Sequence, residues 1–416
     1  MDSSSAVTTA APAPRKRINL RTPDIMATVQ AQVEKHYRSE LVEVIRARGG
    51  VVAAGGLTVR LAKQFGLCYG VERAIDLAYA AKQSKELEGR RLFILGEIIH
   101  NPEVNAQIAA LGIKNLIGPR REAEIDDLTA DDVVIVPAFG AEVQTRQKIE
   151  QLGCYIVDTT CGDVMSVWRR VRSYAVDQMT SIIHGKSQHE ETKATASQAR
   201  SKGMGGHYLV VLTLDETDYV CDYIRQGGDR EEFLRKFEGA HSDGFDPEIH
   251  LKTVGVANQT TMLRGETEEV QRRIGQAILD RDGTAGAARN FRFADTICGA
   301  TQERQDALRE MLQNPVSMDL LLVVGGYNSS NTSHLAEMGA AKLPTYFIRD
   351  ASRLESATQI THFDLHLGQE VTSENWYPAG DIVVGVTAGA SCPNHLIEET
   401  IKRLFTLRGV DSSTLV

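Results

Sequence analysis

"MDLLLVVGGYNSSNTSHLAEMGAA", residues 318–341, runs from an uninterrupted apolar stretch through Gly-Gly-Tyr and a polar loop into an amphipathic segment. An apolar stretch of that length reads as a strand covered on both faces, and strand, loop, helix is the building unit of a parallel sheet. The same order recurs in "RRLFILGEIIHNPEVNAQIAALG" (90–112), "DDVVIVPAFGAEVQTRQKIEQLG" (131–153) and "DIVVGVTAGASCPNHLIEETIKRL" (381–404). Its repetition predicts an α/β fold with parallel-type sheets, with reactive groups on the loops at the carboxyl ends of the strands.

Around these units lies a chain of 416 residues, 42% hydrophobic and 24% charged, long enough for a large core divided among two or three domains. No apolar run nears the ~18 residues of a membrane span. A net charge of −9 and only two tryptophans give neither a basic footprint nor stacking platforms for nucleic acid, so small molecules are the expected ligands. Six cysteines are too few for a disulfide framework and point to a reducing compartment. The first 22 residues, Ser/Ala/Thr-rich with four basic groups and a single acid, read as a disordered tail ahead of a helical stretch from about Pro23 to Arg48. A cytoplasmic location is expected, with a plastid as the alternative if that tail is a transit peptide.

Three cysteines stand where a helix begins: Cys68 in "FGLCYGVERAIDLAYAA", Cys161 in "VDTTCGDVMSVWRRVRSYA" and Cys298 in "ADTICGATQERQDALREML". Their spacing predicts three small α/β lobes, 57–157, 158–293 and 294–410, each presenting one cysteine, behind an N-terminal extension of residues 1–56. The Gly-rich "RGGVVAAGG" reads as a break after the extension, and the charged stretch near 215–250 as an insertion in the second lobe. At a helix N-terminus the dipole and the free N–H groups lower a thiol's pKa and ready it for metal ligation or nucleophilic attack. Any one of these thiols alone would pass for a small buried side chain. Three from three lobes point to a metal centre between them. There is no Cys-x-x-Cys pair and no ferredoxin run, and spacing leaves zinc and an iron–sulfur cluster with one unliganded iron both open. Cys154, Cys221 and Cys392 lack this context and are expected to be structural.

Two loops have the hydroxyls, amide and free backbone N–H groups of an anion site: "NSSNTS" at 328–333 and "TAGAS" at 387–391, where Gly389 permits a close backbone approach and Ser391 supplies a hydroxyl. Together they predict a phosphate pocket. "IIHNPEVN" puts His100 at a strand end, and "IIHGKSQHEETKAT" puts His189 and Glu191 on a loop after another strand. Imidazolium can neutralise a phosphate and a carboxyl can pass protons. "NQTTML" adds Thr260 and Thr261 as further proton-relay candidates.

Taken in order, "GLCYGVERAI", "GEIIHNPEVN", "DTTCGDVMSVW", "HGKSQHEETKATAS", "NQTTML", "DTICGATQERQ", "NSSNTSHLAE" and "VGVTAGASCP" closely resemble the iron–sulfur 4-hydroxy-3-methylbut-2-enyl diphosphate reductases, from about residue 60 to 405. The resemblance implies three lobes arranged pseudo-threefold around a central [4Fe–4S] cluster, one per subunit, held by Cys68, Cys161 and Cys298 with one iron left free. It implies the last step of the non-mevalonate isoprenoid pathway. Two electrons and two protons remove the allylic hydroxyl as water and give isopentenyl and dimethylallyl diphosphates. By position, His100, His189, Ser329, Ser330, Asn331 and Ser391 correspond to the diphosphate-binding set, Glu191 to the proton-delivering carboxylate, and Thr260 to the threonine that supports proton transfer.

One position departs from the pattern. Many bacterial members carry a histidine in the segment that here reads "PAFGAEV", where this chain has Phe139. That segment resembles the plant and cyanobacterial branch, which implies ferredoxin as electron donor, with flavodoxin second, and a monomer is expected. Two rivals from other classes are a non-catalytic cluster-bearing sensor or scaffold that binds a diphosphate, and a metal-free sugar-phosphate or nucleotide enzyme. The first should lack the proton-delivery groups Glu191 and Thr260, and the second has no use for three thiols.

Overall fold

The computed structural model describes residues 18–314 and 317–411 together with Ser413 and Leu415. The Ser/Ala/Thr-rich tail up to residue 17 lies outside the described residues. Three sheets, all parallel apart from one edge strand, make up the body. Lys114–Asn115, Leu92–Ile94, Val133–Val136 and Tyr155–Asp158 form the first. Phe291–Phe293, Val254–Asn258, Thr180–His184 and Tyr208–Val211 form the second. In the third, Leu57–Leu61, Ile382–Ala388, Leu320–Val324 and Thr345–Ile348 run parallel, and Val51–Ala54 adds an antiparallel edge.

The central strands Leu320–Val324 and Val133–Val136 are uninterrupted apolar runs, while Thr180–His184 and Val254–Asn258 carry buried polar residues at their ends. Leu320–Val324, Val133–Val136, Thr180–His184 and Val254–Asn258 are buried at every position, because helices cover both faces of each sheet. The segments that follow these four strands supply Phe139, His189, Thr260 and Ser329 to one cavity.

The chain is partitioned differently from its linear order. Leu57–Leu61 was expected at the start of the first lobe, yet it pairs with Ile382–Ala388, so chain segments more than three hundred residues apart share the third sheet. The register sets Leu57 opposite Ile382 and Val59 opposite Val384. Both sides of that pairing are apolar and buried, a match that local patterning does not encode. The presumed break "RGGVVAAGG" is a hairpin, with Val51–Ala54 returning along Leu57–Leu61 through left-handed Gly55 and Gly56. The extension is helical over Pro23–Tyr37 and Glu40–Ala47 and is packed into the body. Val29 and Tyr37 join one core, where the Tyr37 hydroxyl lies 3.1 Å from that of Tyr79, and Leu41, Val42 and Ile45 join another.

The stretch read as an insertion near 215–250 folds into helices Leu214–Gln226, Arg230–Lys236 and Pro247–His250. It supplies Val220, Tyr223, Phe233, Phe237 and Phe245 to the core beside the second sheet, along with Val254, Val270 and Ile274. Its charges face water while its aromatic residues face inward. Phe233 is fully buried with Tyr223, Phe237 and Phe245 around its ring. Phe233→Ala is expected to cost about 3–5 kcal/mol, read as a lower urea midpoint of unfolding. A change below about 1 kcal/mol would mean that the stretch is a dispensable appendage.

Candidate active site

The three nominated thiols sit at equivalent places. Cys68 is the N-cap of helix Tyr69–Gln83, Cys161 of Gly162–Val176 and Cys298 of Gly299–Leu312. Each is half-buried and unpaired, and all three line one cavity. A methyl group at Gly70 would come within 2.6 Å of the Cys161 sulfur and 4.0 Å of that of Cys68, so glycine keeps this space open. Among the described residues, one set of three ligand-type atoms lies within 4.8 Å of one another, and it comprises His100, His189 and Glu190, not the thiols. Three thiols that line one cavity without gathering within 4.8 Å of one another fit a polynuclear iron–sulfur centre better than tetrahedral zinc.

At Cys161 and Cys298 the expected lowering of the thiol pKa is overridden by desolvation. Burial pushes Cys161 up, although the N–H groups of Asp163 and Val164 oppose it. Burial pushes Cys298 to about 12, although it is opposed by the Thr301 hydroxyl, 3.0 Å from the sulfur, and the Thr301 N–H, 3.3 Å away. The low dielectric outweighs the helix dipole here, so the thiolate form needs a metal to displace the proton.

Beside the thiols lies a polar wall. His189 caps helix Glu190–Ser197, its Nδ1 accepting the Glu191 N–H at 3.1 Å. Burial, with His100 and Lys186 nearby, holds its pKa well below the usual histidine range, so the ring is neutral with its proton on Nε2. A ring fixed in that tautomer offers an N–H to an anion and no lone pair to a metal on its other nitrogen. His100 sets Nδ1 3.1 Å from the Glu97 carboxylate, while its Nε2 is buried without a hydrogen bond, 3.6 Å from Glu190. Phe139, at the departing position, stacks on the His100 ring with centroids 4.7 Å apart, and His189 meets that ring edge-on.

Glu191, expected on an extended loop, lies in the first turn of the helix that His189 caps. It is 3% exposed and accepts the Thr260 N–H at 2.6 Å. Burial raises its pKa to about 7 against the pull of the Thr260 backbone and hydroxyl, leaving a carboxyl that can hold a proton near neutrality.

Both anion loops contribute to the same cavity. Ser329 caps helix Ser330–Ala340, Asn331 accepts the Ala390 N–H at 2.9 Å through Oδ1, and its Nδ2 is buried without a partner. The Ser391 hydroxyl lies 3.3 Å from the His100 carbonyl and 3.4 Å from the Ser329 hydroxyl. Gly389 does allow a close approach, but of the loop to its own neighbour: a Cβ there would fall 1.9 Å from Thr332 Oγ1. The cavity therefore gathers Cys68, Cys161, Cys298, His100, His189, Glu191, Thr260, Thr261, Ser329, Ser330, Asn331 and Ser391. Cys154, Cys221 and Cys392 are buried in separate cores and do not line the cavity, although Cys392 directly follows Ser391.

Gln259 went unremarked in the sequence although it sits inside "NQTTML". It is fully buried, and its amide is satisfied on all four sides: Oε1 accepts from Lys186 N–H and the Thr192 hydroxyl, and Nε2 donates to Thr261 and Ser330. Because Ser330 Oγ accepts from Gln259, its own proton is free to point at a ligand.

A family model described as LytB protein matches residues 59–405. The chain belongs to the LytB family. Among curated LytB relatives, the 4-hydroxy-3-methylbut-2-enyl diphosphate reductase of Gloeobacter violaceus is 49% identical over 394 residues, covering 94% of this chain and 92% of that protein. The enzyme of the same name from Nostoc sp. is 45% identical over 383 residues, covering 92% of each. The solved structure of E-1-hydroxy-2-methyl-but-2-enyl-4-diphosphate reductase from Plasmodium falciparum shares the fold at 18% identity, with a TM-score of 0.60, covering 85% of this chain and 90% of that one. No helix among the described residues is long and apolar enough to cross a membrane.

Proposed function

We propose that this LytB protein reductively removes the allylic hydroxyl of (E)-4-hydroxy-3-methylbut-2-enyl diphosphate, giving isopentenyl and dimethylallyl diphosphates and water. The observation that carries the reading is one cavity holding three thiols, a set of anion-directed donors and a carboxyl whose burial raises its pKa to about 7. Relatives of nearly the same length bear the name of that reaction. Cys68, Cys161 and Cys298 would hold one [4Fe–4S] cluster. When bound, that group supplies electrons and an open coordination position.

The chain's own groups then have separable tasks. His189 offers Nε2–H, Asn331 its unpartnered Nδ2–H, and Ser329, Ser330 and Ser391 their hydroxyls to the diphosphate, charge-assisted hydrogen bonds that fix the substrate's tail. Glu191 delivers a proton to the departing oxygen, and Thr260 holds that carboxyl in place through its N–H at 2.6 Å. Two electrons per turnover come from a low-potential carrier, ferredoxin first and flavodoxin second, to a monomer. Six cysteines in 416 residues are too few for a disulfide framework, which fits a reducing compartment such as the cytoplasm.

Anaerobic purification with an absorption spectrum, iron and sulfide analysis, and turnover of the allylic diphosphate with a reduced carrier tests the reading. Iron-free protein, or iron-loaded protein that forms neither product, would refute it. Within the anion wall, Asn331→Ala is expected to weaken substrate binding roughly tenfold or more with the iron content unchanged, because a charge-assisted hydrogen bond is worth about 1.5–3 kcal/mol. Unaltered affinity would reduce Asn331 to a brace for the Ala390 loop.

A further inference from the structure

Arg304 lies in helix Gly299–Leu312, six residues beyond Cys298, and is 4% exposed. Its guanidinium donates to two backbone carbonyls, Ala300 O at 2.8 Å and Gly66 O at 2.6 Å, and its Nε is buried without a partner. The Gly66 contact ties the helix led by Cys298 to the loop that delivers Cys68. Among the described residues no carboxylate lies within ion-pair distance of Arg304, in contrast to Arg46 nearby, which pairs with Glu43 at 3.1 Å. The acidic groups that would act on it most strongly once deprotonated are Cys68 and Cys298, ahead of Glu303, while Arg46 repels it. The Glu72 carboxylate, on the helix that Cys68 caps, also feels the Arg304 charge. A buried cation is expensive to desolvate unless anions offset it, and thiolates at Cys68 and Cys298 would add to the little that these carboxylates supply from beyond ion-pair distance.

We propose that Arg304 is the buried counter-cation of the three-thiolate site, a positioning residue that joins the Cys68 and Cys298 loops and raises the reduction potential of the cluster they hold. This rests on the reading of Cys68, Cys161 and Cys298 as cluster ligands. A cluster held by three thiolates is net anionic and becomes more so on accepting an electron. A fixed positive charge within the low-dielectric wall therefore favours the reduced state. Arginine suits the place because it stays charged when buried and its planar fork reaches two carbonyls at once.

The test uses anaerobically purified holoenzyme as wild type, Arg304→Lys, Arg304→Gln and Arg304→Met. Iron per chain is counted, and the midpoint potential is read by a mediator-poised titration followed by electron paramagnetic resonance. The Gln and Met variants are expected to titrate at lower potential than wild type, and Lys close to wild type. Neutral variants that fold but load no iron, beside a Lys variant that loads it, would equally show that the charge is required. Unchanged potentials in Gln and Met would overturn the proposal, as would Lys shifting as far as Gln or all three variants folding without iron, since the carbonyl bridge and not the charge would then matter. Wild-type protein without iron would instead defeat the cluster reading itself.

Discussion

Glu191→Gln is expected to retain its iron and bind the allylic diphosphate with a near-normal KM, while turnover falls at least a hundredfold, within the ~10²–10⁴ that general acid catalysis contributes. Glutamine keeps the acceptor for the Thr260 N–H at 2.6 Å and fills the same buried volume, so the local fold has no reason to change. It cannot release a proton to an oxygen that would otherwise depart as a basic anion. The pH profile gives a second readout. Burial raises the Glu191 pKa to about 7, so the proton-bearing form is present below that pH and is lost as pH rises through it. Wild-type turnover should accordingly decline on the alkaline side of about 7, and the Gln variant's residual rate should lack that limb. Glu190→Gln is expected to behave like wild type. Its side chain is 53% exposed and lines an outer cleft beyond Phe139, not the cavity. An essential Glu190 beside a dispensable Glu191 would reverse the assignment.

The two glutamates show what a sequence can and cannot reveal about such a site. Two of the strand ends were legible because a strand buried on both faces is mostly apolar, and Leu320–Val324 or Val133–Val136 can be little else. The loops after them then had to face the cavity. What distinguishes Glu191 from Glu190 was assigned by resemblance and is explained by helix geometry: His189 caps the helix, and the rotation of about 100° between successive residues sets adjacent side chains on different faces, one inward and one out.

Features that depend on distant partners were not legible. Leu57–Leu61 is a strand on its own pattern, but only its match to Ile382–Ala388 puts it in the third sheet. Gln259 acquires its role from Ser330, 71 residues on, and Arg304 from Gly66, 238 residues back. The thiol pKa values failed for a related reason. The dipole at a helix start can be read locally, whereas desolvation by three converging lobes cannot.

The largest effects are expected at the thiols themselves. Cys68→Ser, Cys161→Ser and Cys298→Ser should each lose the broad brown absorption and most of the bound iron, with turnover falling to background. Serine preserves the shape of the half-buried N-cap and at position 298 can still accept the Thr301 N–H, so the apo-fold should survive with an unfolding midpoint close to wild type. What serine cannot provide is a soft anionic ligand, because its hydroxyl stays protonated where a thiol bound to metal does not. Burial sharpens the contrast: at Cys298, where even the thiol is pushed to about 12, an alkoxide is out of reach. The cysteines in the cores provide the control. Cys154→Ser and Cys221→Ser should keep iron and activity, the second at a cost of about 1–3 kcal/mol for a hydroxyl placed in an apolar core. Loss of iron must therefore follow position rather than the mere count of thiols. A normal iron content in any one of the three cavity variants would remove that residue from the ligand set and, with it, the threefold logic that brings the lobes together.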